Sequence, residues 1–279
     1  DRLGYPEPVS KLLGEVMTIT VCLAGALKYE GVFSLQIKGD GPIRTMVADF
    51  TSDGHLRGYA AFDEDAVKQA AENGEATVPR MIGGGYIAFT VDQGTDTERY
   101  QGIVPLAGQT LAECTHEYFR QSEQLETGIN VAVRKDEFGI WRAGALMLQR
   151  MPLDGGEAPE PGKARTVHDM DAYEDAWRTA MVMLSSASPD EIAGTRVAPD
   201  RLLFRLFHEN GIRAYPAQPV MERCRCSKDR VESVLTSLSD EEIRDMTVDG
   251  LVFVVCEFCK SRWEYDEAGM EKLRAGTDN

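Results

Sequence analysis

The sequence is poor in the features that place a protein in a membrane or on nucleic acid. Its most apolar early stretch, residues 16–27, is too short to span a bilayer and is interrupted by Thr18, Thr20 and Gly25. No basic segment precedes an apolar core and a small-residue cleavage site, so no signal peptide is predicted. Positive charge is scarce: 30 Lys and Arg face 46 Asp and Glu, a net charge of −16. Such an acidic surface is repelled by nucleic acid and anionic membranes, and we expect neither as a partner.

Motifs that carry enzymatic chemistry are also missing. The chain has only four histidines, His55, His116, His168 and His208. No two of them have the spacing of a metal-binding motif, and neither G-x-S-x-G nor H-E-x-x-H occurs. The run Gly83-Gly84-Gly85 precedes a strand pattern and no Lys-Ser/Thr pair, which favours a tight turn over a phosphate loop. We find no catalytic set and expect a protein that is not an enzyme.

Cysteine is scarce too, but its placement is informative. Of six cysteines, four lie near the C-terminus: Cys224 and Cys226 as C-x-C, then Cys256 and Cys259 as C-x-x-C. Twenty-nine residues separate the two pairs. Four thiolates from two short clusters form a closed tetrahedral site, which suits zinc. These four residues are therefore the candidate metal ligands.

The segment around the cysteines is small and acidic. Residues 220–279 carry nine Lys and Arg against fourteen Asp and Glu, a net of −5, which argues against a phosphate-binding zinc ribbon. About 60 residues bury little apolar surface. Metal binding is expected to supply much of the folding free energy of this segment, and removal of the metal to unfold it.

Three hypotheses for the cysteine cluster stay open on these grounds. The first is a static zinc-binding interaction module, and the second is a redox switch. The tight C-x-C spacing favours the second, because Cys224 and Cys226 can close into a strained and labile disulfide. Flanking Arg223, Arg225 and Lys228 favour reactive thiolates. The third is a thiol oxidoreductase using the C-x-x-C pair, which here lacks a βαβ context.

Periodicity predicts the rest of the fold. Residues 7–30 form a long helix closed by Gly31, apolar around most of its circumference and therefore buried. Strands are expected at 32–38, 43–50, 55–62, 86–91, 98–106, 128–134 and 141–150, with helices at 65–72 and 110–125. Strands that come in runs favour an α+β fold, in which a mixed β-sheet forms the N-terminal core.

Composition divides the chain into three parts. Residues 1–151 form the α+β core, and residues 152–219 form a helical linker. The linker starts with 152–165, which contain three prolines and three glycines. Residues 220–279 form the cysteine module. Further helices are predicted at 169–185, after the capping box at 188–191, and at 199–209, 227–238 and 240–246, with a strand at 251–255.

The helix at 199–209 is unusually rich in large apolar residues. They are Leu202, Leu203, Phe204, Leu206 and Phe207. We expect them to pack on a core while the cysteine module is folded. When the module melts, the same surface becomes exposed, and a large exposed apolar patch binds non-native protein. These five residues are the candidate client-binding residues.

The remaining cysteines indicate the compartment. Cys22 and Cys114 lie singly in apolar helical contexts and are predicted to be small buried groups. A secreted disulfide framework would scatter its cysteines more evenly, so a reducing, cytoplasmic location is expected. The chain starts at Asp1 and not at Met, and we expect its natural N-terminus to be missing.

Several longer motifs resemble one known family. They are YPEPVSKLLGE (5–15), LQIKGDGPIR (35–44), RYQGIVPL (99–106), YFRQSEQL (118–125), LFRLFHE (203–209), CRCSKDRVESVL (224–235) and CEFC (256–259). In this order they resemble the redox-regulated bacterial chaperone called heat shock protein 33. Members of that family usually carry about one more strand and a helix before the Tyr5-Pro6 motif, and this chain departs from them there.

The resemblance implies an ATP-independent holdase that binds unfolding and oxidatively damaged proteins and prevents their aggregation. In the reduced state, Cys224, Cys226, Cys256 and Cys259 hold Zn²⁺ and the chaperone is poorly active. Oxidants, helped by heat, form the disulfides Cys224–Cys226 and Cys256–Cys259, release zinc, and unfold the module and linker. Residues 220–279 are then a zinc-binding redox-switch domain. The oxidised form is a homodimer that later passes clients to an ATP-dependent foldase.

Overall fold

The computed structural model describes residues 3–74, 76–94, 99–151, 167–213 and 215–275. They belong to two compact units, one ending at Met221 and one beginning at Glu222. The Gly- and Pro-rich start of the linker at 152–165 lies outside the described residues, and the division into three domains stays a prediction. Each unit is described by itself.

The first unit contains most of the secondary structure. In chain order its elements are α1 (Glu7–Ala26), β1 (Val32–Gly39), β2 (Ile43–Thr51), β3 (His55–Phe62), α2 (Glu64–Glu72), α3 (Val78–Met81), β4 (Gly85–Asp92), β5 (Tyr100–Pro105), α4 (Leu111–Tyr118), β6 (Thr127–Lys135), β7 (Trp141–Gln149), α5 (Val167–Ser186), α6 (Pro189–Ile192) and α7 (Pro199–Phe207). The two-residue strand β8 (Met221–Glu222) spans the boundary between the units, and its first residue, Met221, ends the first unit beside β3.

Helix α1 forms the centre of the core but ends earlier than the sequence predicts. Leu27 already has extended backbone angles, with φ −101° and ψ 150°. Gly31, expected to close the helix, instead leads into β1 with φ +123°, at a point where a Cβ would lie 2.1 Å from the carbonyl oxygen of Asp92. Glycine is required there by the close approach of two strands and not by the helix.

The main sheet has the order β5-β4-β1-β2-β3-β8, in which the five long strands run from β5 to β3. The four pairings that join the five long strands are antiparallel, where the sequence had suggested a mixed sheet. Short connections explain much of this, because the three-residue turns that join β1 to β2 and β2 to β3 permit only hairpins. On β1 the predicted alternation is confirmed: Phe33, Leu35 and Ile37 are all buried.

The buried face of this sheet packs on α1. Val9, Leu12, Val16, Ile19 and Leu23 of the helix belong to the same apolar cluster as the β1 side chains. Each fully buried aliphatic side chain of this kind contributes about 1.5–3 kcal/mol. By length and composition α1 is apolar enough to cross a bilayer. Its burial in this cluster makes it a core helix of the unit.

The hairpin β6–β7 packs on α1 from another side. A Cβ at Gly14 of α1 would lie 2.8 Å from a methyl group of Val133 on β6, so glycine permits this close packing. Asn130 of β6 donates two hydrogen bonds, each 3.0 Å long, to the carbonyls of Leu184 and Ala187 at the end of α5. Helix α5 is thereby held on the hairpin by hydrogen bonds from the Asn130 side-chain amide as well as by apolar contact.

The second unit is built around the cysteines. Its elements are α8 (Lys228–Ser237), α9 (Asp240–Met246), β9 (Thr247–Val248), β10 (Leu251–Val255), β11 (Arg262–Asp266) and α10 (Glu267–Ala275). The sheet has the order β11-β10-β9. Neither β11 nor α10 was predicted, because both are short and rich in charged residues. They fold against a small core formed by Leu235, Ile243, Val252, Tyr265 and Met270.

Candidate metal centre

The fold brings the four C-terminal cysteines together. Cys224 and Cys226 lie just before α8, while Cys256 and Cys259 lie in the turn between β10 and β11. All four Sγ atoms lie within 4.8 Å of one another. The shortest contacts run between the two motifs: Cys224 to Cys256 at 3.6 Å and Cys226 to Cys259 at 3.4 Å.

Local structure on both sides holds the thiols in place. The Ser227 hydroxyl accepts a hydrogen bond of 3.2 Å from the N–H of Arg230 and caps α8, which places Cys226 directly before the helix. In the other motif the Cys256 N–H donates to the Ser261 carbonyl at 2.9 Å. The Lys260 N–H donates back to the Cys256 carbonyl at 2.8 Å. These two bonds close a tight turn around Cys259.

The geometry of the four sulfurs fits a tetrahedral metal site. With zinc–sulfur bonds of about 2.3 Å, neighbouring sulfurs of a tetrahedron lie about 3.8 Å apart. The observed separations, from 3.4 Å to within 4.8 Å, bracket that value. All four cysteines are free thiols and half-buried. A soft, closed donor set of four thiolates is the set that zinc prefers in structural sites.

The thiols differ in their electrostatic surroundings. Burial raises the pKa of Cys226, and the neighbouring thiol of Cys224 adds to the effect. Burial also raises the pKa of Cys256. For Cys259 burial again acts upward, but hydrogen bonds to the hydroxyl and backbone of Ser261 outweigh it and lower the pKa to about 6. The hydroxyl oxygen of Ser261 lies 3.1 Å from the Cys259 sulfur.

The five candidate client-binding residues lie on α7, in the first unit. Leu202 is buried, while Leu203, Leu206 and Phe207 are half-buried. Phe204 differs from the expectation of a packed helix, because 61% of it is exposed and its ring lies against His208 with centroids 5.3 Å apart. The structure thus leaves one large aromatic side chain of this set on the surface.

The glycine run is a structural turn, as predicted. Gly83 has φ +75°, and the Gly84 N–H donates a hydrogen bond of 2.8 Å to the carboxylate of Asp40. A Cβ on Gly83 would lie 2.3 Å from that carboxylate. An internal carboxylate therefore takes the place that a phosphate would occupy in a phosphate-binding loop.

The two isolated cysteines have the character of buried apolar groups. Cys114 is fully buried in α4 and Cys22 is half-buried in α1. Burial raises the pKa of each thiol to about 11. Because the thiolate is the reactive form, both are poor targets for oxidants.

Sequence reasoning missed a hydrogen-bonded cluster that joins two of the quoted motifs. Tyr118 donates to the carboxylate of Glu123 at 3.1 Å, and Tyr100 of β5 donates to the same oxygen. A Cβ at Gly102 would lie 2.0 Å from the Tyr118 hydroxyl. RYQGIVPL and YFRQSEQL are therefore two halves of one contact. The available signal was that both motifs occur together in the family that the sequence resembles. Hydrophobic periodicity does not show that the two motifs are in contact.

The fold and the site together define a class of protein, in which an α+β core is followed by a small module that carries four clustered cysteines. Comparison with known proteins agrees: the family model described as Hsp33 protein matches residues 1–266. The chain belongs to the Hsp33 family of chaperones. Its candidate ligands lie within the matched residues.

Individual relatives support this assignment. A protein named 33 kDa chaperonin from Caulobacter vibrioides (strain NA1000 / CB15N) is 37% identical over 276 residues, which cover 96% of this chain and 86% of the relative. A namesake from Pseudomonas fluorescens (strain SBW25) is 32% identical, over 98% and 83% of the two chains. These names denote a chaperone and not a catalyst.

A solved structure shows the same fold. The crystal structure of the 33 kDa chaperonin (heat shock protein 33 homolog) from Thermotoga maritima superposes with a TM-score of 0.77. The match covers 99% of this chain and 88% of that one, at 24% sequence identity. The α+β fold class predicted from the sequence is confirmed.

Proposed function

We propose that this chaperone is an ATP-independent holdase, and that oxidation of Cys224, Cys226, Cys256 and Cys259 activates it. The observation that carries the proposal is the convergence of four free thiols within 4.8 Å in a unit whose core, among the residues that the structure describes, has five buried members. A unit with so small a core depends on a cross-link between its cysteines for stability. A chemical change at the sulfurs therefore changes whether the unit is folded.

The physical basis is linkage between metal binding and folding. The four thiolates would hold Zn²⁺, which supplies a tetrahedral cross-link between the segment before α8 and the β10–β11 turn. Structural zinc contributes about 10–16 kcal/mol of apparent binding free energy in small modules. Oxidising the ligands removes that stabilisation, which is comparable to the total stability of a domain, about 5–15 kcal/mol. The module then unfolds, and unfolding of the adjoining linker is part of the proposal.

The remaining parts of the proposal follow from the family. Clients are unfolding or oxidatively damaged proteins, held on apolar surface that includes Leu202, Leu203, Phe204, Leu206 and Phe207. The oxidised form is a homodimer in the cytoplasm, and clients later pass to an ATP-dependent foldase. The exposed ring of Phe204 and the half-buried side chains around it support a surface that needs little rearrangement to bind apolar chains.

Aggregation assays test the proposal directly. Citrate synthase aggregation at mild heat is followed with reduced protein and with protein treated with peroxide. We expect suppression only after oxidation, together with release of one zinc and loss of four free thiols per chain. Cys114→Ala serves as a matched control that leaves the switch intact. Equal suppression in both states, or zinc that stays bound under peroxide, would instead identify a static zinc-binding interaction module.

Disulfide mapping tests the pairing. We propose that the bonds form within each motif, Cys224–Cys226 and Cys256–Cys259, although the shortest sulfur contacts run between the motifs. Trypsin cleaves after Arg225, between the first two cysteines, and leaves the other two together in peptide 245–260. Pairing within motifs therefore lowers the mass of peptide 245–260 by two hydrogens. Pairing between motifs attaches it to fragments of the first motif.

A further inference from the structure

Strand β3 is the last long strand of the main sheet, where only the two-residue strand β8 lies beside it, and it carries few of the usual protections against strand pairing. Natural edge strands carry Lys, Pro or bulges that prevent another chain from adding to them. From His55 to Phe62, β3 contains no Lys and no Pro. Its one strong cation, Arg57, is held by the buried carboxylate of Asp49 at 2.6 Å on the neighbouring strand. The edge therefore relies on other parts of the chain for cover.

Two distant segments provide that cover. The N–H of Ala60 donates a weak hydrogen bond of 3.4 Å to the hydroxyl of Tyr5, which also packs edge-on against Phe62 with ring centroids 5.2 Å apart. At the other end of the strand, the N–H of Met221 donates a hydrogen bond of 2.9 Å to the carbonyl of Gly54. The tip of the β2–β3 hairpin thus holds the residues that lead into the cysteine module.

The contact at Gly54 is made by main-chain atoms and leaves no room for a side chain at this position. Gly54 has φ +89°, and a Cβ there would lie 2.6 Å from the carbonyl oxygen of Pro219. Meanwhile Val220 and Met221 keep 46% and 55% of their surface exposed. An apolar segment is therefore seated through its main chain with its side chains turned largely to solvent. That is the mode by which an extended peptide adds to a sheet edge without regard to sequence.

We propose that the β3 edge is a strand-addition site for extended, apolar client segments, which residues 218–221 occupy until the cysteine module unfolds. The chain's own segment defines the chemistry of the occupant: uncharged, extended and bound by main-chain hydrogen bonds. The inference rests on the proposed function, because oxidation must first release that segment. It adds a binding site on the core sheet to the apolar surface of α7.

Amide hydrogen exchange on the full-length protein tests the site. We expect the β3 amides to exchange at least about tenfold faster after peroxide and mild heat. Adding a permanently unfolded probe, reduced and carboxymethylated α-lactalbumin, should slow them again. Met221→Pro, which removes the donated N–H, should speed exchange at β3 without peroxide. Met221→Ala keeps that N–H and is expected to behave as the unmodified protein.

A lysine introduced on β3 provides a second test, in which the affinity for the unfolded probe is measured. Ala61 is an exposed residue of β3, and Gln101 is an exposed residue of β5 at the opposite edge of the sheet. We expect Ala61→Lys to weaken binding of the same probe to oxidised protein by about fivefold or more, because edge lysines oppose strand addition. Gln101→Lys adds the same charge and should leave the affinity unchanged.

The outcomes separate this inference from the proposed function. If oxidised protein holds the probe while the β3 amides stay unprotected, or if Ala61→Lys binds normally, strand addition at β3 is excluded and the holdase function stands. If oxidised protein binds no probe at all, the proposed function fails and the inference fails with it. Protection at β3 that Ala61→Lys weakens supports both.

Discussion

At the scale of single residues, Lys260 shows how the site depends on an unusual backbone. It follows Cys259 and has φ +58°, a left-handed conformation that glycine adopts without cost. The conformation lets its N–H reach the Cys256 carbonyl and so closes the turn. Its side chain pairs with Glu257 at 2.7 Å, but an exposed pair of this kind contributes only about 0–1 kcal/mol.

Substitution at Lys260 should therefore act through the backbone. Lys260→Val is expected to destabilise the second unit by about 1–2 kcal/mol, since a β-branched side chain is strained in the left-handed region. Lys260→Gly removes the strain and should leave zinc binding at least as tight. Amide exchange of β10 and β11 in urea measures both effects. Lys260→Ala isolates the ion pair; a loss with alanine as large as with valine would assign the effect to the side chain instead.

At the scale of elements, the interruption of a predicted helix brings the motifs RYQGIVPL and YFRQSEQL into contact. The sequence predicts one helix from 110 to 125, but α4 ends at Tyr118 and a π-helical turn covers Phe119–Glu123. Gln124 then takes a left-handed conformation, with φ +55°. The wider turn directs Glu123 to the hydroxyls of Tyr118 and Tyr100, which ties α4 to β5. A tertiary hydrogen bond here overrides helical propensity.

Gly102 is the position at which this junction is most sensitive. Gly102→Ala places a methyl group against the hydroxyls of Tyr118 and Ser122, 2.0 Å and 2.6 Å away, and is expected to cost about 1–3 kcal/mol. Thermal unfolding monitored by circular dichroism measures the loss. Gly25→Ala near the end of α1 is the control, since no atom lies within 4 Å and alanine favours helix. Equal midpoints for the two variants would show that the junction tolerates bulk.

At the scale of the whole molecule, the two units differ in how much core they possess. The first unit buries a continuous cluster formed by α1, the main sheet and α4. The second, over its described residues 222–275, buries a cluster of five. Apolar burial is therefore sufficient to stabilise the first unit, whereas we expect the second to need a cross-link.

Removing metal should consequently unfold one unit and spare the other. We expect a strong zinc chelator at mild heat to raise amide exchange throughout α8–α10 and β9–β11 while β1, β2 and α1 stay protected. Adding excess zinc should restore the slow exchange, which distinguishes loss of metal from irreversible damage. Exchange that rises equally in both units would contradict an independent core, and no change in either would contradict a metal-dependent module.

Local patterns in the sequence were sufficient for many features. Alternation on β1 and the serine caps of α6 and α9 are seen as predicted, because each depends on neighbours within a few residues. At Thr110 the cap forms, but the Glu113 carboxylate accepts from Gln109 and not from the cap residue. The spacing of Cys224, Cys226, Cys256 and Cys259 likewise indicated one site, since two short pairs can supply a single tetrahedron.

Tertiary structure alone decided the contacts between distant residues. Tyr5 meets Ala60 across 55 positions, and Met221 meets Gly54 across a still longer stretch of chain. The early end of α1, the π-helical turn and the cover of the β3 edge all arise from such contacts. Periodicity reports only which face of an element is apolar, and not which partner that face meets. The sequence by itself determined the cysteine site and the α+β class, while packing decided which surfaces are covered and by what.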